Sequence, residues 1–303
     1  MTMPNFLILG AAKAGTTSIY RYLKQHPQIY MSPAKEPKFF AFEGENLDFR
    51  GLGDEKEANY IVTNIDDYRA LYKKATNQIA IGEASTIYLY IAKSVERIKY
   101  YIPKAKLIAI LRDPAERAYS NYLHLIKQER EPLDFAEALA QEEERIKNNW
   151  WSFWHYQHRG LYYVQLKRYY EAFEKNQIKV YLYEDLKNNP LGMLKDMFGF
   201  LEIDDTFTPD ISEKVRQAAP IPKNKALESF LSQPHPVKSI LSPLLPTSLR
   251  DKLVNKIRYL NRGKPKLSPA VRKQLIEFYR EDILQLQDLI GRDLSQWLKC
   301  LKS

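Results

Sequence analysis

The chain has 303 residues, 45% apolar and 27% charged, which is ordinary globular composition with enough length to bury a substantial core. Lys and Arg number 46 against 37 Asp and Glu, and the net charge of +9 favours an anionic partner without naming it. One cysteine, Cys300, excludes an intrachain disulfide framework and a multi-cysteine zinc site, and no window approaches the roughly 20 apolar residues of a membrane span.

Five histidines without ligand spacing argue against a His-built metal site. Met1 to Gly10 has no basic leader and runs straight into a core-like segment, so a soluble, cytoplasmic protein is expected. In chain order, strands are predicted at Asn5–Gly10, Gln28–Met31, Gln78–Gly82, Lys106–Leu111 and Gln177–Tyr183. Several are apolar throughout, as strands buried on both faces of a parallel sheet are. Helices are predicted between them at Thr17–Gln25, Asp66–Lys73, Tyr88–Tyr101, Pro114–Lys127, Asp134–Lys147 and Gly160–Lys175. At Asp113-Pro114 the aspartate caps, proline takes the first helical position, and Glu116 is placed to complete a capping box.

The alternation predicts a three-layer α/β/α sandwich with a central parallel sheet. A single domain over 1–303 is expected, with an α/β core over about 1–205 and a proline-punctuated helical part over about 206–303. Its last helix runs from Ser268-Pro269 to Gly291. Ligands of such sheets bind beyond the carboxyl ends of the strands, which singles out Gly10–Ser18, Leu111–Ser120 and Tyr183–Asp185.

Gly10-Ala-Ala-Lys-Ala-Gly-Thr-Thr-Ser18 joins a buried strand to a helix. Small residues let its backbone curl around an anion, and the helix amides face that anion. Lys13 adds a mobile cation; Thr16, Thr17 and Ser18 add hydroxyls. The loop is P-loop-like without being a Walker A loop, because Thr16 stands where that pattern has lysine. Past the fourth strand, Arg112 and Ser120 form a second candidate anion grip, with a guanidinium fork suited to phosphate oxygens.

Together these segments resemble the sulfotransferases that use 3′-phosphoadenylyl sulfate (PAPS) and release PAP. Lys13-Ala14-Gly15-Thr16-Thr17-Ser18 resembles the family's 5′-phosphosulfate loop, and Arg112 with Ser120 its 3′-phosphate motif. Tyr183-Glu-Asp-Leu is similar to the cytosolic branch's segment whose tyrosine lies near the adenine. Ser32–Phe40 (SPAKEPKFF) and Gly82–Tyr88 (GEASTIY) are closer to the heparan sulfate branch. The resemblance implies a P-loop NTPase-like fold, a PAPS donor, no metal, and Lys13 stabilising charge on the leaving oxygen. It makes Glu36 the base that deprotonates a hydroxyl or amine, and Lys264 a contact of a basic loop closing over the donor. The implied acceptor is a carbohydrate, glycolipid or other small molecule. Heparan sulfate enzymes commonly have lysine after the glutamate of the GEAS-like segment; Ala84 here departs from that.

Other readings stay open at this point. Glu36 is the base or a surface carboxylate paired with Lys35 or Lys38. Glu83 orients an acceptor or satisfies nearby backbone. Trp150–Tyr156 lines the acceptor site or packs a core, and Phe42–Tyr60 is a lid or a surface excursion. Gln141–Arg145 reads as a solvated helix face. Ser248–Lys273, with nine basic residues and one acid, suits donor phosphates, an anionic glycan or an acidic membrane surface. The rival functions are a nucleotide kinase using magnesium ATP and a non-enzymatic polyanion binder; no nucleic-acid motif is present. Oligomeric state is not legible.

Overall fold

The computed structural model describes residues 2–212, 221–222, 262–263 and 266–300. Lys264 and most of the basic stretch 248–273 lie outside the described residues. Residues 1–215 with 269–303 form one compact unit and residues 216–268 a second. In the second, β6 (Ile221–Pro222) and β7 (Arg262–Gly263) pair antiparallel.

The first unit is built on five parallel strands: β1 (Phe6–Gly10), β2 (Ile29–Met31), β3 (Ala80–Ala84), β4 (Lys106–Leu111) and β5 (Ile178–Leu182), in the order β2-β3-β1-β4-β5. Phe6, Leu7, Ile8 and Leu9 are fully buried, which explains the wholly apolar run. Each such side chain contributes about 1.5–3 kcal/mol. Around the sheet lie α1 (Thr16–Leu23), α2 (Phe39–Phe42), α3 (Glu55–Ala58), α4 (Ile65–Ala70), α5 (Lys93–Tyr101), α6 (Pro114–Lys127), α7 (Phe135–Ala140), α8 (Glu142–Lys147), α9 (Tyr162–Ala172), α10 (Tyr183–Asn188), α11 (Pro190–Leu201) and α12 (Pro269–Ile290). None of the described helices is long and apolar enough to cross a membrane.

β1 and β4 are neighbours, yet the chain leaves β1 toward β2 and leaves β4 toward β5. Their carboxyl ends therefore flank a crevice of the kind where ligands bind open α/β sheets.

The helix predicted over Asp134–Lys147 is two, broken at Gln141. Glu142 is turned inward and fully buried, where it accepts the N–H groups of Gln157 (2.6 Å) and His158 (2.9 Å). Arg145 is buried too and pairs with Glu131 at 2.6 Å. The stretch expected to be solvated is thus divided: Gln141, Glu143 and Glu144 are exposed, while Glu142 and Arg145 face the core. Asp113 caps α6 through the amides of Ala115 (2.9 Å) and Glu116 (3.1 Å), as expected. Glu116 does not complete the box: its carboxylate faces Arg272 of α12 (3.3 Å), whose other nitrogen holds Asp113 at 2.7 Å. Asp282 of α12 likewise accepts the amides of Tyr163 (3.0 Å) and Val164 (3.4 Å) at the start of α9.

Candidate active site

The loop after β1 is tied to β4 at its root, where the Ala11 N–H donates to the Ile110 carbonyl at 2.7 Å. Gly15 turns it with φ 88°, a left-handed conformation. Any side chain there would also begin 2.5 Å from Leu186 and 3.3 Å from the Tyr183 ring, so α10 packs directly on the loop. α1 starts at Thr16 with no side chain capping it, which leaves its amide end without a built-in acceptor. Ala14, Thr16 and Ser18 are buried; Lys13, Gly15 and Thr17 are half-buried.

Arg112 leaves the end of β4 and donates to the Lys13 carbonyl at 3.0 Å, while its guanidinium lies 5.0 Å over the Tyr183 ring. Tyr162 fixes the same residue from the other side by donating to the Arg112 carbonyl at 3.0 Å. Lys13, Arg112 and Tyr183, far apart in sequence, therefore share one locus. Ser120 lies half-buried on α6, eight residues beyond Arg112. Burial, and then the like charge of Arg112, lowers the Lys13 ammonium to about 8.

That depression has a measurable consequence. A bound dianion raises the Lys13 value, so binding takes up a proton wherever free Lys13 is neutral. For PAP, the ligand that the sequence resemblance implies, affinity is expected to be flat below about pH 7.5 and to weaken above pH 8, by at most about tenfold per pH unit. Titrations of Lys13→Ala at the same pH values should show no such bend; a bend that persists would assign it to another group.

Glu36 sits on the loop after β2 with φ 63°, near enough for its charge to act on Lys13. Lys35 donates to its Oε1 at 2.7 Å and Thr86 to its Oε2 at 3.2 Å. Burial pushes the carboxyl up, but the charge and hydrogen bond of Lys35, with Lys38 and Arg159 beyond, hold it below the usual carboxylate range. Glu36 is thus ionised and half-buried, paired with Lys35 but inside the fold.

Three more charged or titratable side chains lie near, of which Arg159 and His124 belong to none of the motifs. Lys38 is 6% exposed, with its ammonium 5.1 Å from the Trp151 ring centre. Arg159 is 3% exposed, lies over Phe153 at 5.1 Å, and is pushed down to about 10 by burial and by Arg117. His124 is held neutral, at about 4, by burial and by the charge of Lys13. The available signal for Arg159 was a charge embedded in the aromatic run from Trp150 to Tyr156 and its flank.

The Glu83 side chain is turned into the core, and the partners it has there are side-chain hydroxyls. It is fully buried and accepts hydroxyls from Tyr88 (2.6 Å), Ser85 (2.8 Å) and Tyr68 (3.2 Å), and burial raises its carboxyl to about 7 against those hydrogen bonds. Trp151, Trp154 and Tyr156 are core residues. The 42–60 excursion is anchored by buried Asp54, which accepts the Gly51 amide (2.9 Å), the Trp151 amide (2.7 Å) and the Trp154 indole (3.0 Å), and pairs with Arg130.

Comparison with known proteins fits this arrangement. A family described as the sulfotransferase family matches residues 4–209. A crystal structure of a sulfotransferase from Alicyclobacillus acidocaldarius is 34% identical, covers 99% of this chain and 100% of that one, and superposes with a TM-score of 0.78. Carbohydrate sulfotransferase 15 of Mus musculus is 26% identical over 254 residues, covering 66% of this chain and 44% of that protein. The bifunctional heparan sulfate N-deacetylase/N-sulfotransferase 4 of Mus musculus is 29% identical over 210 residues, covering 66% of this chain and 22% of that protein. The chain spans less than half the length of these curated relatives. With a family match over two-thirds of its residues and a solved relative alike from end to end, the chain belongs to the sulfotransferase family.

Proposed function

We propose that the chain transfers the sulfuryl group of PAPS to a hydroxyl or amine of a carbohydrate or glycolipid and releases PAP. The observation that carries this reading is the meeting of Lys13, Arg112 and Tyr183 at the carboxyl ends of three strands, with an ionised Glu36 whose charge reaches Lys13. Two cations and an uncapped helix start suit a donor with phosphates at both ends, and the Tyr183 face suits its adenine. The printed names of the relatives, a carbohydrate sulfotransferase and a heparan sulfate N-sulfotransferase, favour a glycan acceptor.

In the proposed step the acceptor oxygen or nitrogen attacks sulfur in line with the bond to the 5′-phosphate. That S–O bond breaks, PAP leaves with the electron pair, and the acceptor proton passes to Glu36. Thr16, Thr17, Ser18 and the loop amides hold the 5′-phosphosulfate; Arg112 and Ser120 hold the 3′-phosphate. Lys264 is assigned to the same donor by family resemblance alone.

Calorimetric titration with PAP, beside ATP with magnesium, tests the donor. Tight, metal-independent PAP binding is expected, weakened about 10- to 100-fold in Arg112→Ala, the loss usual for a charged hydrogen-bond partner. Preference for magnesium ATP would replace the reading with phosphoryl transfer. Polyanion binding that survives both Lys13→Ala and Arg112→Ala would replace it with a non-enzymatic role. Labelled PAPS with chondroitin, N-deacetylated heparosan and a glycolipid then separates the acceptor classes.

A further inference from the structure

Residues 83–86 grip the loop that carries Glu36. The Glu36 amide donates to the Ala84 carbonyl at 3.1 Å, and the Thr86 hydroxyl reaches the Glu36 carboxylate. Ser85 Oγ accepts the backbone N–H of Lys38 at 3.0 Å. Glu36 and Lys38 both have left-handed φ, 63° and 61°, which side-chain-bearing residues keep only where their surroundings impose it.

Behind this grip stands Glu83. It makes no ion pair among the described residues, and a carboxylate so buried is tolerated only with several hydrogen-bond donors. Tyr72 extends the set by donating to the Tyr68 hydroxyl at 3.1 Å. The Ser85 hydroxyl has one proton, and it accepts from Lys38 N–H with that proton directed elsewhere. Glu83 Oε2, 2.8 Å away, is where the proton goes.

We propose that Glu83 is a positioning residue for the base: by orienting the Ser85 hydroxyl it fixes the backbone at 36–38 and so aims the Glu36 carboxylate. This rests on the reading of Glu36 as the base. Glu83 touches no substrate; its effect passes through Ser85 and Lys38 N–H. The carboxylate draws its hydroxyls from two places, Tyr68 of α4 and the turn at Ser85–Tyr88 that follows β3.

The test uses PAPS alone, with water as acceptor, so no glycan need be known. Water attacks sulfur, the bond to the 5′-phosphate breaks, Glu36 takes a water proton, and PAP and sulfate are released. Glu83→Gln and Ser85→Ala are each expected to slow PAP release by about 10- to 100-fold, the scale of an ångström's misplacement, with PAP affinity unchanged. In a Glu36→Gln background the same two substitutions should slow it no further, because there is no base left to aim. A full-rate Ser85→Ala variant, or losses that repeat undiminished in the Glu36→Gln background, would overturn the positioning role while leaving Glu36 in place. A full-rate Glu36→Gln single variant would overturn the base reading itself, and the positioning role with it. Should Glu83→Gln fail to fold, Ser85→Ala decides alone, since it leaves Glu83 with both tyrosine donors.

Discussion

Replacing Lys13 with alanine is expected to slow sulfuryl transfer by about 100- to 1000-fold, the usual cost of removing one donor to charge that develops in the transition state. As the bond between sulfur and the bridging oxygen lengthens, negative charge collects on that oxygen. Lys13 is half-buried and crowded by Arg112, so its proton is held less firmly than that of a solvated lysine. A growing anion relieves that repulsion, and the gain is larger in the transition state than in the ground state. Single-turnover rates with PAPS should therefore fall much more than PAP affinity does. Near-normal turnover in Lys13→Ala would remove this lysine from the chemistry.

Glu36→Gln is expected to leave PAP binding intact and slow transfer by about 100- to 10,000-fold, the range typical of a lost general base. The pH dependence gives a separate check. A base held below the usual carboxylate range is ready at neutral pH and is lost only as pH falls through that low value. Lys13 supplies the opposite limb, since it must be protonated and loses its proton as pH rises through about 8. The rate should thus form a broad plateau between an acidic limb and one near pH 8. The acidic limb disappears in Glu36→Gln and the alkaline limb in Lys13→Ala. Full activity in Glu36→Gln would assign proton removal to another group.

The five strands were legible because a parallel sheet covered on both faces asks for unbroken apolar runs, and Phe6–Leu9 and Leu107–Leu111 are such runs. Where a buried strand carries charge, that signal fails. β3 was expected to stop at Gly82, yet it continues through Glu83 and Ala84, since the hydroxyls of Tyr68 on α4 and of Tyr88 just beyond the strand make the carboxylate tolerable there. Glu142 misled in the same way: a glutamate on a polar helix reads as solvated until the amides of residues 157 and 158 fold over it. The helix predicted from Tyr88 begins only at Lys93, because the Leu89 amide is committed to the Leu9 carbonyl at 2.9 Å. The strand-to-helix loop after β1 was readable because all its parts lie within nine residues. His124 and Arg159 were not, because only the tertiary fold brings their two segments to Glu36.

The pairing of Arg272 with Asp113 separates two lengths that are easily equated. The family match ends at residue 209, but the cation that neutralises the α6 cap comes from residue 272, and the carboxylate that covers the first α9 amides comes from residue 282. A polypeptide trimmed to the matched region would leave Asp113 facing its helix without a counter-ion, and stripping one partner from a buried pair costs about 3–5 kcal/mol. It would also bare two amides beside Tyr162, the residue that holds Arg112 in place. The region that the family match covers is therefore shorter than the portion that must be inherited together, and chimeras between relatives should exchange residues 4–209 only along with the terminal helix.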